Sequence, residues 1–462
     1  MDTTVRRALA IGMMVLLAAC SGPSVSTSIV RRPSTTVPPT STTTSTVSAA
    51  LSPQEVFETV SPALAYIETD LGSGSGVLFD EWHLVTNAHV VWPYDDVRVV
   101  FPDGTELLDA DVTHIDEIAD LAIVDVSRAA PRLPEPVTLG DPDGLAVGGE
   151  LYLIGYPGEV EEYPQPTLTR GILSRVRTID ALGLEFLQTD AVIAGGQSGG
   201  ALVDDNGTVI GISGLGSEGF ALAASAADVR ERLADMLAGR DTDGIADRSF
   251  PGGPGELSYT GPIEHYFVEK TWVVDMLAGE ELQVEATSDG DVYVALTAFD
   301  GFLEGEADEG ETGTESLTVV APFDGPYFLT LDSFAPVPID VTLTSNLPLR
   351  PLSDPDDETV VVPGQTVVGY ADYPGDIDTY RIDLSAGDRI TVTVSAVLMD
   401  PEIIIDLEGN EADFLGRDDS SGGGLFGTDA RLSFRADTDA TYFLVVVDEF
   451  YGPGGYVMTI ER

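Results

Sequence analysis

From about residue 277 onward the chain is cut into short segments in which every second residue is apolar, with Gly- and Asp-containing turns between them. Leu282–Ala286, Val292–Leu296, Ile390–Val394 and Ile403–Leu407 are of this kind or nearly so. Successive side chains of an extended strand point to opposite faces, so each segment offers one apolar face and one wet face. Such strands must bury the apolar face against a second sheet, and the pattern predicts β-sandwiches. It occurs twice. Leu277-Ala278-Gly279-Glu280 matches Leu384-Ser385-Ala386-Gly387-Asp388 with one residue inserted, and Tyr327-Phe328-Leu329-Thr330-Leu331 matches Tyr442-Phe443-Leu444-Val445-Val446.

Breaks in composition set the expected boundaries. The stretch 241–262 is rich in Gly, Pro and Asp, and a further break holds Pro348, Pro351, Pro355 and Pro363. They divide the chain into a body over 51–240, a linker over 241–262, and sandwiches over 263–346 and 347–462. Upstream, 14 of the 16 residues from Pro33 to Ser48 are Ser, Thr or Pro. That composition buries no core and makes an extended tether, assigned to 21–50. At the start, Arg6 and Arg7 precede an apolar run from Ala8 to Ala19 that is too short to span a bilayer as a helix and reads as a signal peptide, over 1–20.

Charge excludes one class of partner. The formal net charge is -56, with -36 of it on residues 241–462, so binding a phosphate backbone through counterion release is not expected. Cys20 is the single cysteine, so no intrachain disulfide can form and packing must hold the modules. The run Leu17-Ala18-Ala19-Cys20 resembles the lipobox of bacterial lipoproteins, which implies cleavage before Cys20 and a lipid anchor on it.

Three segments of the 51–240 body carry chemistry. The stretch from Gly72 to Val91 reads as strand, polar turn and a second strand ending at His89; Asp120 precedes the apolar strand from Leu121 to Val126; Ser198 lies in a glycine-flanked turn before another strand. A serine hydroxyl attacks an acyl group only if an imidazole takes its proton and a carboxylate fixes that imidazole. Glycines around Ser198 let main-chain N–H groups converge on an oxyanion, and Gly196 and Ser198 are the expected donors.

The three contexts, in the order His, Asp, Ser and separated by 31 and 78 residues, resemble the chymotrypsin-like serine proteases of the HtrA or Deg type. Those show a T-N-x-H-V histidine, a D-L-A aspartate and a G-N-S-G-G serine. The resemblance covers roughly residues 54–225. It implies a mainly β chain: a chymotrypsin-like double β-barrel, followed here by two β-sandwich, jelly-roll-like domains. The stretch from Asp376 to Gly387 and the strand at Tyr442–Val446 resemble bacterial pre-peptidase C-terminal domains. Gln197 stands where the family has Asn, and Ala194-Gly195 where it has Asn-Pro, which predicts a softer oxyanion loop. No PDZ domain follows; instead Asp228–Leu237 reads as a helix with Val229, Leu233 and Leu237 on one face.

Substrate selection is expected from the residues just ahead of the nucleophile. Val192 and Ile193 bring no acid to meet a basic side chain, and Leu215 and the strand from Phe220 to Leu222 are candidate pocket walls, so small or medium apolar P1 residues should fit. His83, His114 and His265 lack a second ligand at metal spacing and are expected at the surface or in turns. The 241–247 string resembles the start of a calcium loop without its closing carboxylate. The triad chemistry requires no cofactor; calcium stays open as a ligand of Asp376, Asp378, Asp418 and Asp419. Two functions follow: a lipid-anchored cell-envelope endopeptidase acting on unfolded or exposed polypeptide, or a surface lipoprotein whose sandwiches bind polysaccharide or protein. Oligomeric state is not encoded in any of these features.

Overall fold

The computed structural model describes residues 50–158, 164–217, 219–239, 245–246, 254–263, 268–308, 313–333, 338–352, 354, 357–407, 414–448 and 452–462. The expected signal peptide, Cys20 and nearly all of the tether lie outside these residues. Among those described, no helix is long and apolar enough to cross a membrane.

A short amphipathic helix, α1 (Pro53–Val60), leads in. Ser52 caps it in a reciprocal capping box with Glu55, and Val56 and Val60 are buried. Six strands then close a first barrel: β1 (Leu64–Glu68), β2 (Ser73–Leu78), β3 (His83–Thr86), β4 (Asp96–Val100), β5 (Glu106–Asp116) and β6 (Leu121–Asp125). The order is β5-β4-β1-β2-β3-β6, and a β5–β6 pairing completes the circle. A second closed barrel runs β10-β11-β12-β9-β8-β7. Its strands are β7 (Glu150–Gly155), β8 (Thr167–Ile179), β9 (Leu184–Thr189), β10 (Ala201–Asp204), β11 (Val209–Ser217) and β12 (Phe220–Ser225). Between β3 and β4 lies a single-turn helix, α2 (Ala88–Val91), and after β12 comes α3 (Ala226–Leu237). The helix expected at 228–237 is therefore present and two residues longer at its start. Its buried face is Val229, Leu233 and Met236, whereas Leu237 is exposed: the i, i+4, i+7 repeat, not i, i+4, i+8, faces the barrels.

Among the described residues, the regular elements of the two C-terminal modules are all β-strands. Strands Leu282–Ala286 and Val292–Leu296 fall within Glu281–Ser288 and Val292–Ala298, and Ile390–Val394 and Ile403–Leu407 within Arg389–Ala396 and Pro401–Leu407. The repeat is visible in the hydrogen bonds of equivalent corners. The Tyr327 hydroxyl donates to the Phe323 carbonyl at 2.9 Å and the Tyr442 hydroxyl to the Thr438 carbonyl at 3.0 Å, each reaching four residues back. The Ala278 amide donates to Asp324 at 2.6 Å, as Ala386 does to Asp439 at 2.7 Å.

Two expected boundaries need correction. Glu256–Ile263 is not linker but a strand paired with Ile339–Pro351, so the first sandwich begins earlier than 263. Ile339–Pro351 also runs through the boundary placed at 346, pairing Trp272 with Pro351. Pro348 and Pro351 sit near the end of this long strand, where the missing N–H is tolerated. Nor are the bodies independent. Leu51–Arg462 pack as one unit. Val397, Leu425 and Val457 of the second sandwich share a core with Ile118, Ala119 and α3, and Val273, Phe299 and Phe328 of the first share one with Trp92 and Phe101.

Candidate active site

The site lies between the barrels. His89 is carried by α2, just past β3, rather than by the strand itself as the sequence pattern suggested. Asp120 occupies the turn before β6, in a left-handed backbone conformation (φ 54°), a strained region for a residue with a Cβ. Several bonds hold it there. The Asn87 side chain donates to the Asp120 carbonyl at 2.8 Å, and the His89 amide donates to the Asp120 carboxylate at 3.1 Å. The carboxylate, itself buried, accepts from His89 Nδ1 at 2.8 Å. An ionised carboxylate only accepts, so Nδ1 bears the proton and Nε2 is left with its lone pair.

Burial by itself lowers the His89 pKa, but the Asp120 charge and hydrogen bond outweigh it and hold the imidazole above its ordinary value of about 6.5. The sign for activity is direct: a base with a raised pKa stays protonated to higher pH. The acid limb of the kcat/KM profile should therefore lie above pH 6.5 in the full chain and shift downward in Asp120→Asn. A limb at or below 6.5 in the unmodified chain would contradict this coupling.

Ser198 precedes β10 in the loop 194–200. Its hydroxyl donates to the Gly214 carbonyl at 3.2 Å, and no hydrogen bond joins it to His89 in this rotamer. Gly196 has φ 87°, and a Cβ there would stand 2.5 Å from the Gly158 nitrogen; a Cβ on Gly199 (φ 79°) would overlap the Ser75 carbonyl. Both positions admit only glycine. Among the described residues, the Gly196 and Ser198 amides donate to nothing, while the neighbouring Gln197, Gly199 and Gly200 amides are all bonded. Two free N–H groups in one tight turn are what an oxyanion needs.

The loop is not softened by Gln197. That side chain is buried; its Oε1 accepts from the Ala194 amide at 2.7 Å and its Nε2 donates to Thr167 Oγ1 of β8 at 3.1 Å, tying the start of the turn to the second barrel. One positioning residue escaped the sequence reading. Ser75 of β2, fully buried, donates from its hydroxyl to the Gly196 carbonyl at 2.9 Å and accepts from the Tyr156 amide at 2.8 Å; its own amide donates to the Ser198 carbonyl at 2.7 Å. It fastens the first barrel to the Ser198 loop of the second. The available signal was the pair of glycines beside it, Gly74 and Gly76, in a strand that otherwise needs side chains to pack.

The expected pocket residues separate. Val192 is 71% exposed; Ile193 is half-buried and lies against Gly216, where a Cβ would meet it at 2.6 Å. Leu215 and Phe220 are partly buried against the core between the barrels. Leu222 is 1% exposed and belongs to that core, a correction to its reading as a pocket wall, because a side chain without accessible surface cannot meet substrate. Asp190, the acid nearest in sequence, is tied to the Ile172 amide at 2.7 Å. Residues 159–162 and Glu218 lie outside the described residues.

Among the described residues, Asp116, the other histidines and the aspartates of the second sandwich make contacts of their own. Asp116, four residues before Asp120, accepts from Arg232 at 2.5 Å and from the Ala119 amide at 3.0 Å. His83 bonds Asp80 at 2.8 Å, and His114 bonds Thr113 at 3.0 Å. His265 lies outside the described residues, as does most of the 241–247 string, of which Ile245–Ala246 pairs with β5. Asp376 and Asp378 meet Asp354 instead of Asp418 and Asp419, with carboxylate oxygens all within 4.8 Å. Asp418 instead accepts from the Ser421 and Arg431 amides at 3.1 and 2.7 Å.

Residues 74–212 match the trypsin-like peptidase domain family. Serine protease HTRA1 of Xenopus tropicalis is 30% identical over 271 residues, covering 52% of this chain and 57% of the relative. The two barrels and their loops are thus similar to the trypsin-like protease domains of HtrA-type serine proteases. Serine protease Do-like HtrA of Bacillus subtilis (strain 168) is 31% identical over 186 residues, covering 37% of this chain and 40% of the relative. The chain thus spans about half the length of these curated relatives. Among solved structures, an HtrA-type protease, AlgW, with a decapeptide is 29% identical, with a TM-score of 0.36, covering 41% of this chain and 68% of that one.

Proposed function

We propose that this chain is a serine endopeptidase of the cell envelope that cleaves unfolded or exposed polypeptide. The observations that carry the reading are the His89–Asp120 pair at 2.8 Å and a Ser198 loop whose Gly196 and Ser198 amides donate to nothing among the described residues. Rotation about the Ser198 side chain brings its hydroxyl from Gly214 toward His89 Nε2. His89 then removes the proton as Ser198 Oγ attacks the scissile carbonyl, and the two amides hold the oxyanion. His89 passes the proton to the leaving amine, and Asp120 stabilises the imidazolium between these steps. Water, deprotonated by His89, releases the acyl group. Ile193 and the exposed Val192 offer no counter-charge, which supports cleavage after Val, Ala, Leu or Met. Digestion of an unfolded protein by the full chain, with termini read by mass spectrometry, tests this: dominant cleavage after Arg or Lys would overturn the specificity.

The Leu17-Ala18-Ala19-Cys20 run and the Ser/Thr/Pro tether support lipid anchoring outside the cytoplasm, and the repeated tyrosine corners support reading both sandwiches as pre-peptidase C-terminal-like. The chain should fractionate with membranes, released by detergent and not by salt, and Cys20→Ala should free it. A Cys20→Ala chain still bound to membrane would refute the anchor.

A further inference from the structure

A loop of the second sandwich reaches the hairpin that borders the nucleophile. Between strands Gly416–Asp418 and Ala430–Arg435, Leu425 enters the core shared with Ile118 and Leu222, and Arg177 of β8 donates to its carbonyl. The next side chain, Phe426, stacks on Phe220 with centroids 6.2 Å apart and planes at 21°, while the Arg177 guanidinium stands 5.5 Å from the Phe220 ring. Phe426 is nevertheless 41% exposed, so the stacked pair keeps an open apolar face.

That face has a fixed relation to Ser198. Strand β11 pairs with β10 only as far as Ile212, and the Ser213 amide donates to Gly200 at 2.9 Å; from Gly214 to Ser217, no strand covers this edge among the described residues. Gly214 is the residue whose carbonyl meets Ser198 Oγ, and Ser217 pairs with Phe220 on the other edge. An extended peptide can add to such an edge through main-chain hydrogen bonds. Its direction is set by the chemistry. The leaving amine must lie beside His89 to receive a proton, so the acyl side runs away from His89, along Gly214–Ser217. At about 3.3 Å per residue, Ser217 lies roughly 10 Å from Gly214, the span of three residues.

We propose that Phe426, carried by the second sandwich, forms with Phe220 an aromatic wall that selects an apolar side chain three or four residues before the cleaved bond of a polypeptide substrate. This rests on the peptidase reading above and adds that specificity is shared with a module outside the protease domain. The exposed Gly216 and the partly open Ser198 place the loop beside the cleft and not across it.

The test uses the full chain and pairs of quenched peptides that differ only in Phe or Ala at the fourth residue before the scissile bond. The unmodified chain should prefer Phe by about tenfold in kcat/KM, the scale on which an apolar subsite discriminates. Phe426→Ala should reduce that ratio to about twofold, and Phe426→Leu, which keeps an apolar side chain without the stack, should fall between. A ratio indifferent to Phe426 overturns the inference alone. So does a Phe426→Ala chain that cleaves both peptides faster by the same factor, since the loop would then be a cover. An unmodified chain that cleaves neither peptide and takes no fluorophosphonate overturns the peptidase reading and the inference with it.

Discussion

Ser198→Ala and His89→Ala should each lower kcat by about 10⁴–10⁶, and Asp120→Asn by about 10⁴, without unfolding the chain. The losses should not add. Ser198 without His89 keeps its proton, and His89 without Ser198 has no nucleophile to activate, so the double variant should be within about tenfold of either single one. Asp120→Asn acts differently: the amide can donate to Nδ1 and favour the tautomer whose Nε2 carries the proton, which is useless as a base. Steady-state cleavage of a peptide substrate checks all four proteins. Multiplicative losses in the double variant would mean that the groups act on separate steps.

The second large effect is on stability. The Asp116 carboxylate has no exposed surface, and burial raises its pKa even against the opposing charge and hydrogen bond of Arg232. Arg232→Ala would leave that buried carboxylate without its cation and should cost about 3–5 kcal/mol in urea-induced unfolding of the full chain. Replacing both partners together, as Asp116→Leu with Arg232→Leu, should cost much less, because no buried charge is then left unpaired. Equal costs for the single and double replacements would show that Arg232 acts through packing. The pair ties α3 to the turn that ends in Asp120, so it is structural although only four residues from the aspartate of the site.

The candidate site was legible because it depends on local chain shape. Gly196 and Gly199 are required by turn geometry at Ser198, and the strand following Asp120 announces itself by its apolar run. Ser75 was not legible as a positioning residue, since its bonds to the Gly196 carbonyl and the Tyr156 amide span 121 and 81 residues and exist only once two barrels meet. The same reason hid Phe426. Its partner Phe220 is over 200 positions away, and a lone Phe in a glycine-rich loop reads as a turn. Strand alternation located the sandwiches, but Gly261 and Pro262 disguised a strand whose backbone still pairs with Ile339–Pro351. The cohesion of Leu51–Arg462 was likewise invisible, because Pro- and Gly-rich joints imply independent bodies, whereas Ile118 packed on Gly455 joins them.

Whether His89, Asp120 and Ser198 act as one nucleophilic site is decided by reacting the folded full-length chain with a fluorophosphonate and locating the adduct by mass spectrometry. A single adduct on Ser198 is expected, absent from Ser198→Ala and strongly slowed in Asp120→Asn. An adduct on another residue, or none on the folded chain, would contradict it.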